Sequence, residues 1–143
     1  MKKKCSLLIQ NGTVMTGPDT ILEGMDVAVE EGKILAVVPH GSEEWAAGEI
    51  LSGKGKVFLP GLIDSHMHTG QQLLKGLVLD ARPIIWTRVM LPFESTLTPE
   101  LMELSAGLAA LEMIRCGTTG FVESGGYFME EAARVYLETG LRG

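Results

Sequence analysis

Two histidines near the end of the segment Phe58–His68, FLPGLIDSHMH, have the spacing of a metal-binding pair. The apolar residues Leu62 and Ile63 before them predict a strand that is buried on both faces. Side chains alternate along a strand, so His66 and His68 are expected to project from the same face and bind one ion together. Neutral imidazoles suit Zn²⁺ or Fe²⁺. The segment therefore predicts a divalent metal site, with zinc as the first choice and iron as the alternative.

Other polar residues were considered as parts of this site. Asp64 lies two residues before His66, where a carboxylate can orient a ligand imidazole. Its alternative role is that of a strand-end residue hydrogen-bonded to the backbone. The third histidine, His40, lies in a predicted turn and is not expected to be a ligand. Two histidines are an incomplete set, because a catalytic zinc usually takes three protein ligands and a water.

The motif P-G-L-I-D-x-H-x-H at residues 60–68 resembles the first-strand signature of the metal-dependent amidohydrolases, which are built on a (β/α)8 barrel. The segments LLKG, LPFESTLTP and EMIRCGTTGF resemble the group of adenosine, methylthioadenosine and S-adenosylhomocysteine deaminases, with triazine chlorohydrolases as relatives. This resemblance implies hydrolysis of a C–N bond in a purine, pterin, nucleoside or triazine-like amine by metal-activated water. A cyclic amidase of the same superfamily and a noncatalytic binding module are the alternatives.

The resemblance also implies a substrate-binding residue. Glu94 matches a loop glutamate that contacts ribose hydroxyls in the nucleoside deaminases, while its alternative is a solvated charge near a helix start. The run from Glu123 to Gly126 departs from the Asp-Met-Tyr sequence of those deaminases, which leaves the nucleoside substrate open. In the family the remaining ligands and the acid/base groups come from later strands. No catalytic residue is therefore assigned in this chain.

Residues 1–57 predict a small antiparallel β module, which the resemblance identifies as the N-terminal part of a composite β-sandwich. Hairpins are predicted at Asn11-Gly12 and at Glu31-Gly32. Residues 48–54 spell G-x-x-x-x-G-K, close to a phosphate-binding loop, but Gly55 replaces the Ser or Thr that such a loop needs. A flexible turn is the preferred interpretation of this segment.

Residues 58–143 predict an α/β arrangement, the first two βα units of a TIM-like barrel. Thr98 is a predicted N-cap with Pro99 at the first helical position. The next strand is predicted at residues 118–123 and a second helix at 129–139. Five apolar residues recur at helical spacing and predict the buried face of the first helix: Leu101, Leu104, Leu108, Leu111 and Ile114.

Length and composition limit the function further. A complete barrel needs roughly 250 residues, so the 143-residue chain looks truncated and is expected to be inactive by itself. The net charge of -6 disfavours a nucleic-acid partner. No run approaches the roughly 18 apolar residues of a membrane span. Cys5 and Cys116 fit no metal or disulfide pattern, which favours the cytoplasm, and the resemblance favours a homo-oligomer.

Overall fold

The structure is a computed structural model that describes residues 2–78 and 84–143. It contains two compact units, Met1–Pro60 and Gly61–Gly143. The first unit is a five-stranded sheet in which β1 pairs with β2 on one side and with β4 and β5 on the other, while β3 pairs with β2. Its strands are β1 (Lys3–Gly17), β2 (Thr20–Glu30), β3 (Lys33–Pro39), β4 (Trp45–Ser52) and β5 (Val57–Phe58).

The sheet is mixed, not purely antiparallel. β2 runs antiparallel to β1 and β3, as predicted, and the predicted hairpin at Glu31-Gly32 is confirmed by positive φ angles of 49° and 72°. β4 and β5 run parallel to β1. The unit boundary falls after Pro60 because Val57 and Phe58 pair with β1.

The predicted hairpin at Asn11-Gly12 is wrong. β1 continues through both residues, and the chain reverses at residues 18–19 instead. Asn11 does adopt the left-handed conformation, with φ of 56°. This conformation occurs within β1, where the pairing with β2 is irregular. Its N–H donates to Asp26 Oδ1 at 2.9 Å. A buried side-chain acceptor on the neighbouring strand thus stabilises a bulge where the dipeptide alone favours a turn.

The flexible turn predicted at residues 48–54 is also wrong for most of its length. Residues up to Ser52 belong to β4, and the turn is confined to the segment after it, where Lys56 N–H donates to Gly53 O at 2.9 Å. β4 approaches β1 closely at Gly48, because a Cβ on this residue would lie 2.9 Å from Ser6 O. The glycine is therefore a packing requirement of the sheet.

The second unit confirms the predicted order of strand, helix, strand and helix, with β6 and β7 parallel. Arg142 forms a parallel bridge to Gly120 at the other edge of β7. None of the helices in the described ranges is both long and apolar enough to cross a membrane. The elements are β6 (Leu62–Met67), a 3-10 helix (Thr69–Leu74), a π-helical segment (Trp86–Met90), α1 (Leu91–Glu94), α2 (Pro99–Arg115), β7 (Thr118–Glu123) and α3 (Met129–Thr139).

The ends of both long helices follow the predicted capping. Thr98 Oγ1 accepts the backbone N–H of Leu101 at 3.3 Å, and Pro99 begins α2. Gly117 follows α2 with φ of 80°, and Gly140 ends α3 with φ of 76°. These local signals therefore set the helix boundaries.

The leucine stripe predicted as the buried face of α2 is largely exposed in the described residues, and a different face packs against the neighbouring elements. Leu104 and Leu111 on the leucine stripe are 60% and 54% exposed. The face that packs against α3, β7 and the 3-10 helix is rotated by one residue, or about 100°, and consists of Met102, Ser105, Ala106, Ala109, Ala110 and Met113. Small side chains allow close packing there, and the Ser105 hydroxyl donates to Thr69 O at 2.6 Å.

β6 is not buried on both faces in this chain. Leu62 and Ile63 are 53% and 74% exposed, because β7 is the strand that pairs with β6 in the described residues. The apolar run correctly indicated a strand, but the burial that it predicted is absent from the two-stranded sheet.

Candidate metal and substrate site

The two histidines lie together at the carboxyl end of β6. Their ring centroids are 4.9 Å apart and their planes are nearly perpendicular, at 85°. Both rings line one cavity of about 410 Å³. Zinc binds imidazole nitrogens at about 2 Å, and two rings this close can contribute to one ion. The donors therefore suit Zn²⁺ or a similar ion, although no group of three or more His, Cys, Asp or Glu residues is arranged for a metal in the described residues.

His66 has a polar partner that the sequence analysis did not assign. Ser124 Oγ lies 3.2 Å from His66 Nδ1. Ser124 is the first residue after β7, and its N–H donates to Met67 O at 3.0 Å. The signal available in the sequence was positional, since residues that follow adjacent parallel strands meet at one edge of the sheet.

His68 is partly covered by an aromatic ring. The Trp86 ring lies 5.6 Å from the His68 ring, centroid to centroid, at an angle of 57°. Trp86 begins the π-helical segment in the long connection after β6. The two histidines thus have different neighbours, a hydroxyl for His66 and an indole for His68.

Asp64 hydrogen-bonds to the backbone. Its Oδ1 accepts the N–H of His66 at 3.1 Å, and the side chain also lines the cavity. The backbone role considered for Asp64 is therefore the one that the structure shows.

A buried hydrogen-bond network fixes the residue after His68. Thr69 N–H donates to Glu123 Oε2 at 2.8 Å, and the Thr69 hydroxyl also contacts this carboxylate. Because the Thr69 hydroxyl donates its hydrogen bond to Glu123, it accepts a hydrogen bond from the Tyr136 O–H, with 2.7 Å between the two oxygens. Burial raises the pKa of the Tyr136 phenol. This network is not visible in the sequence, because its members are separated by more than 50 residues.

Glu94 is buried at the end of α1, with 9% of its surface exposed. Its Oε1 accepts the side-chain N–H of Gln71 at 2.6 Å, and Gln71 lines the cavity. This environment does not support the alternative of a solvated charge. Glu94 adjoins the cavity through Gln71.

The remaining histidine has a structural partner in the first unit. His40 Nδ1 lies 2.8 Å from Asp26 Oδ1, and Asp26 is 2% exposed. Asp26 Oδ2 also accepts the N–H of Gly41 at 3.3 Å. His40 therefore belongs to the contacts that join the β2 and β3 region.

Sequence comparison finds similar curated proteins, although no family model matches the chain. A 5-methylthioadenosine/S-adenosylhomocysteine deaminase of Thermococcus kodakarensis is 39% identical over 140 residues, which cover 96% of this chain and 32% of the relative. A protein of the same name from Pelotomaculum thermopropionicum is 36% identical over 143 residues, covering 96% and 33%. The chain thus spans about a third of the length of these relatives.

Solved structures show the same fold. An adenosine deaminase from Xanthomonas campestris with bound zinc superposes with a TM-score of 0.87 at 31% identity, over 96% of this chain and 33% of that one. An atrazine chlorohydrolase from Arthrobacter aurescens, complexed with zinc, gives a TM-score of 0.83 at 21% identity, over 95% and 34%. At that lower identity the second match speaks for the fold alone.

Proposed function

We propose that the chain is the N-terminal portion of a metal-dependent amidohydrolase and supplies two metal ligands to an enzyme that hydrolyses a C–N bond of a heterocyclic amine, a proposal that its deaminase relatives support. The observation that carries this proposal is the pair of imidazoles 4.9 Å apart on one cavity. The family resemblance predicted from the motifs at residues 60–68 and 112–121 is confirmed.

His66 and His68 would hold the metal ion, and the bound zinc in the similar adenosine deaminase structure supports zinc over iron. When bound, such an ion lowers the pKa of a coordinated water toward about 7 and makes it a nucleophile at neutral pH. Further ligands must come from outside the described residues, which contain no third group suited to the ion.

The cavity would bind the ring of the substrate. Its wall combines amide and ammonium donors with apolar side chains, which suits a flat heterocycle carrying polar edges. Besides the two histidines, the polar residues are Asp64, Gln71, Gln72 and Lys75, whose ammonium also pairs with Glu112, and the apolar ones are Met67, Leu74, Val78, Ile85 and Met90. Trp86 beside His68 adds an aromatic face. The chain itself thus supplies one side of a binding pocket next to the metal ligands.

We propose that Glu94 acts on the substrate side of this cavity, directly or through Gln71. Burial of its carboxylate and the 2.6 Å hydrogen bond support a fixed orientation for both groups. The names of the relatives favour an adenine-type amine, while the departure at residues 123–126 keeps pterin and triazine amines as alternatives.

An assay of ammonia release tests this function, with the protein purified in the form that its natural source produces. The substrate panel contains methylthioadenosine, S-adenosylhomocysteine, adenosine, an aminopterin-type ring and an amino-triazine, with dihydrouracil as the probe for a cyclic amidase. Metal-dependent ammonia release from a ring amine supports the proposal. Turnover of dihydrouracil alone, or release that survives complete metal removal, contradicts it.

A pair of variants tests Glu94 in the same assay. Glu94→Gln is expected to raise KM or lower kcat/KM while leaving the metal content unchanged. Glu138→Gln, on the exposed surface of α3, is the matched control and should behave as wild type. Equal kinetics for Glu94→Gln and wild type on every substrate would assign Glu94 a purely structural role.

The finer features in this proposal rest on the resemblance. Residues 1–57 would form the N-terminal part of a composite β-sandwich, and residues 58–143 the first two βα units of a barrel. Parallel pairing of β6 with β7, and the bridge from Gly120 to Arg142, support the second assignment. A homo-oligomer is proposed on the same ground, and a cytoplasmic location on the free cysteines Cys5 and Cys116.

A further inference from the structure

We propose that Ser124 is a positioning residue that holds the His66 imidazole with Nδ1 protonated, which leaves Nε2 free to bind metal. This inference rests on the proposed function, in which His66 is a ligand. Its starting point is the distance of 3.2 Å between Ser124 Oγ and His66 Nδ1. In the sequence Ser124 is noticeable only as part of the run from Glu123 to Gly126, to which no role at the metal was assigned.

Hydrogen bonds of Ser124 and of the preceding residue fix the backbone position of Ser124. Its own N–H donates to Met67 O, at 3.0 Å, on the strand that carries His66. The preceding residue, Glu123, is tied to Thr69 through Oε2 and accepts the N–H of Gly125 at 3.1 Å through Oε1. The hydroxyl is thus presented to His66 by an anchored turn, even though both side chains are solvent-exposed.

The protonation pattern of the ring decides whether this contact helps metal binding. A neutral imidazole has one N–H and one lone pair. If Nδ1–H donates to Ser124 Oγ, the lone pair of Nε2 remains available to an ion. If the hydroxyl donates to Nδ1, the ring proton lies on Nε2 and blocks that nitrogen. Histidine ligands of metals usually donate their other N–H to an oxygen, so the first arrangement is the one that couples Ser124 to binding.

The contrast with His68 supports a specific role. His68 faces the Trp86 ring, which contributes packing and offers no oxygen to an imidazole N–H. Asp64 accepts the backbone N–H of His66 through Oδ1 and makes no hydrogen bond to the His66 ring in the described residues. Ser124 is therefore the side chain that the structure places at the ring nitrogen of His66.

Two measurements test the inference, both on the protein in the form that its natural source produces. The first is zinc affinity by competition with a chromophoric chelator, for wild type, Ser124→Ala and Ser124→Thr. We expect Ser124→Ala to bind zinc about tenfold more weakly and Ser124→Thr, which keeps the hydroxyl, to restore most of the affinity. Ser65→Ala, on β6 itself, controls for a general change in the strand.

The second measurement is ¹⁵N NMR of the His66 ring in metal-free protein, at a pH where the imidazole is neutral. Wild type and Ser124→Thr should show the Nδ1-protonated ring, and Ser124→Ala should shift it toward the Nε2-protonated form. Unchanged His66 signals in Ser124→Ala overturn the inference, whatever the zinc affinity. If the wild-type protein binds no zinc, the metal proposal fails, and the ring signals alone still decide the role of Ser124.

Discussion

Two alanine substitutions on neighbouring faces of α2 should have very different effects on stability. Met102 is 1% exposed, and its methyl group lies against the 3-10 helix, where a Cβ added to Gly70 would be 3.3 Å from Met102 Cε. Backbone on that side cannot collapse into the space left by Met102→Ala. We therefore expect a loss of about 3–4 kcal/mol in the free energy of unfolding, in the upper part of the usual range.

Leu104 lies on the leucine stripe and is 60% exposed, so it buries less than half of its side chain. Complete burial of leucine contributes about 1.5–3 kcal/mol, and Leu104→Ala should therefore cost no more than about 1 kcal/mol. Equilibrium urea unfolding of the protein as it is naturally produced measures both values under the same conditions. A loss for Leu104→Ala that equals or exceeds the loss for Met102→Ala would refute the observed packing of α2.

Three further changes test local features of the fold. Thr98→Ala removes the N-cap of α2 and should lower the free energy of unfolding by about 1 kcal/mol, as measured by thermal melting. The pKa of Tyr136 is raised from 10.0 by burial, so stability should fall as the pH rises above that value, because the unfolded phenol ionises first. Tyr136→Phe should remove this alkaline loss in urea titrations from pH 8 to 11. Gly48→Ala brings a Cβ to 2.9 Å from a carbonyl oxygen and should destabilise the first unit, whereas Gly17→Ala meets open space. Equal melting temperatures for these two variants would contradict the β1–β4 pairing.

Features set by neighbouring residues were predictable from the sequence. The shared face of His66 and His68 follows from the alternation of side chains along a strand. Thr98 and Gly140 mark helix ends because capping depends on a few adjacent backbone groups. The Glu31-Gly32 turn follows from the glycine, which adopts a positive φ without steric cost.

Features that depend on distant partners were not predictable. The leucine stripe and the face that contains Met102 share one helical period, so periodicity indicates a helix without choosing the side that α3 covers. Asn11 takes the predicted conformation, but Asp26 on the next strand turns it into a bulge. Ser124 reaches His66 only because β6 and β7 pair in parallel across 58 residues of sequence.

Metal analysis of purified protein tests the central claim most directly. The comparison needs wild type, the double variant His66→Ala/His68→Ala, and His40→Gln as a control histidine that contacts Asp26 instead of the cavity. We predict that wild type and His40→Gln retain the same zinc stoichiometry and that the double variant loses the ion bound at this site. An unchanged stoichiometry in the double variant would contradict the assignment of His66 and His68 as metal ligands.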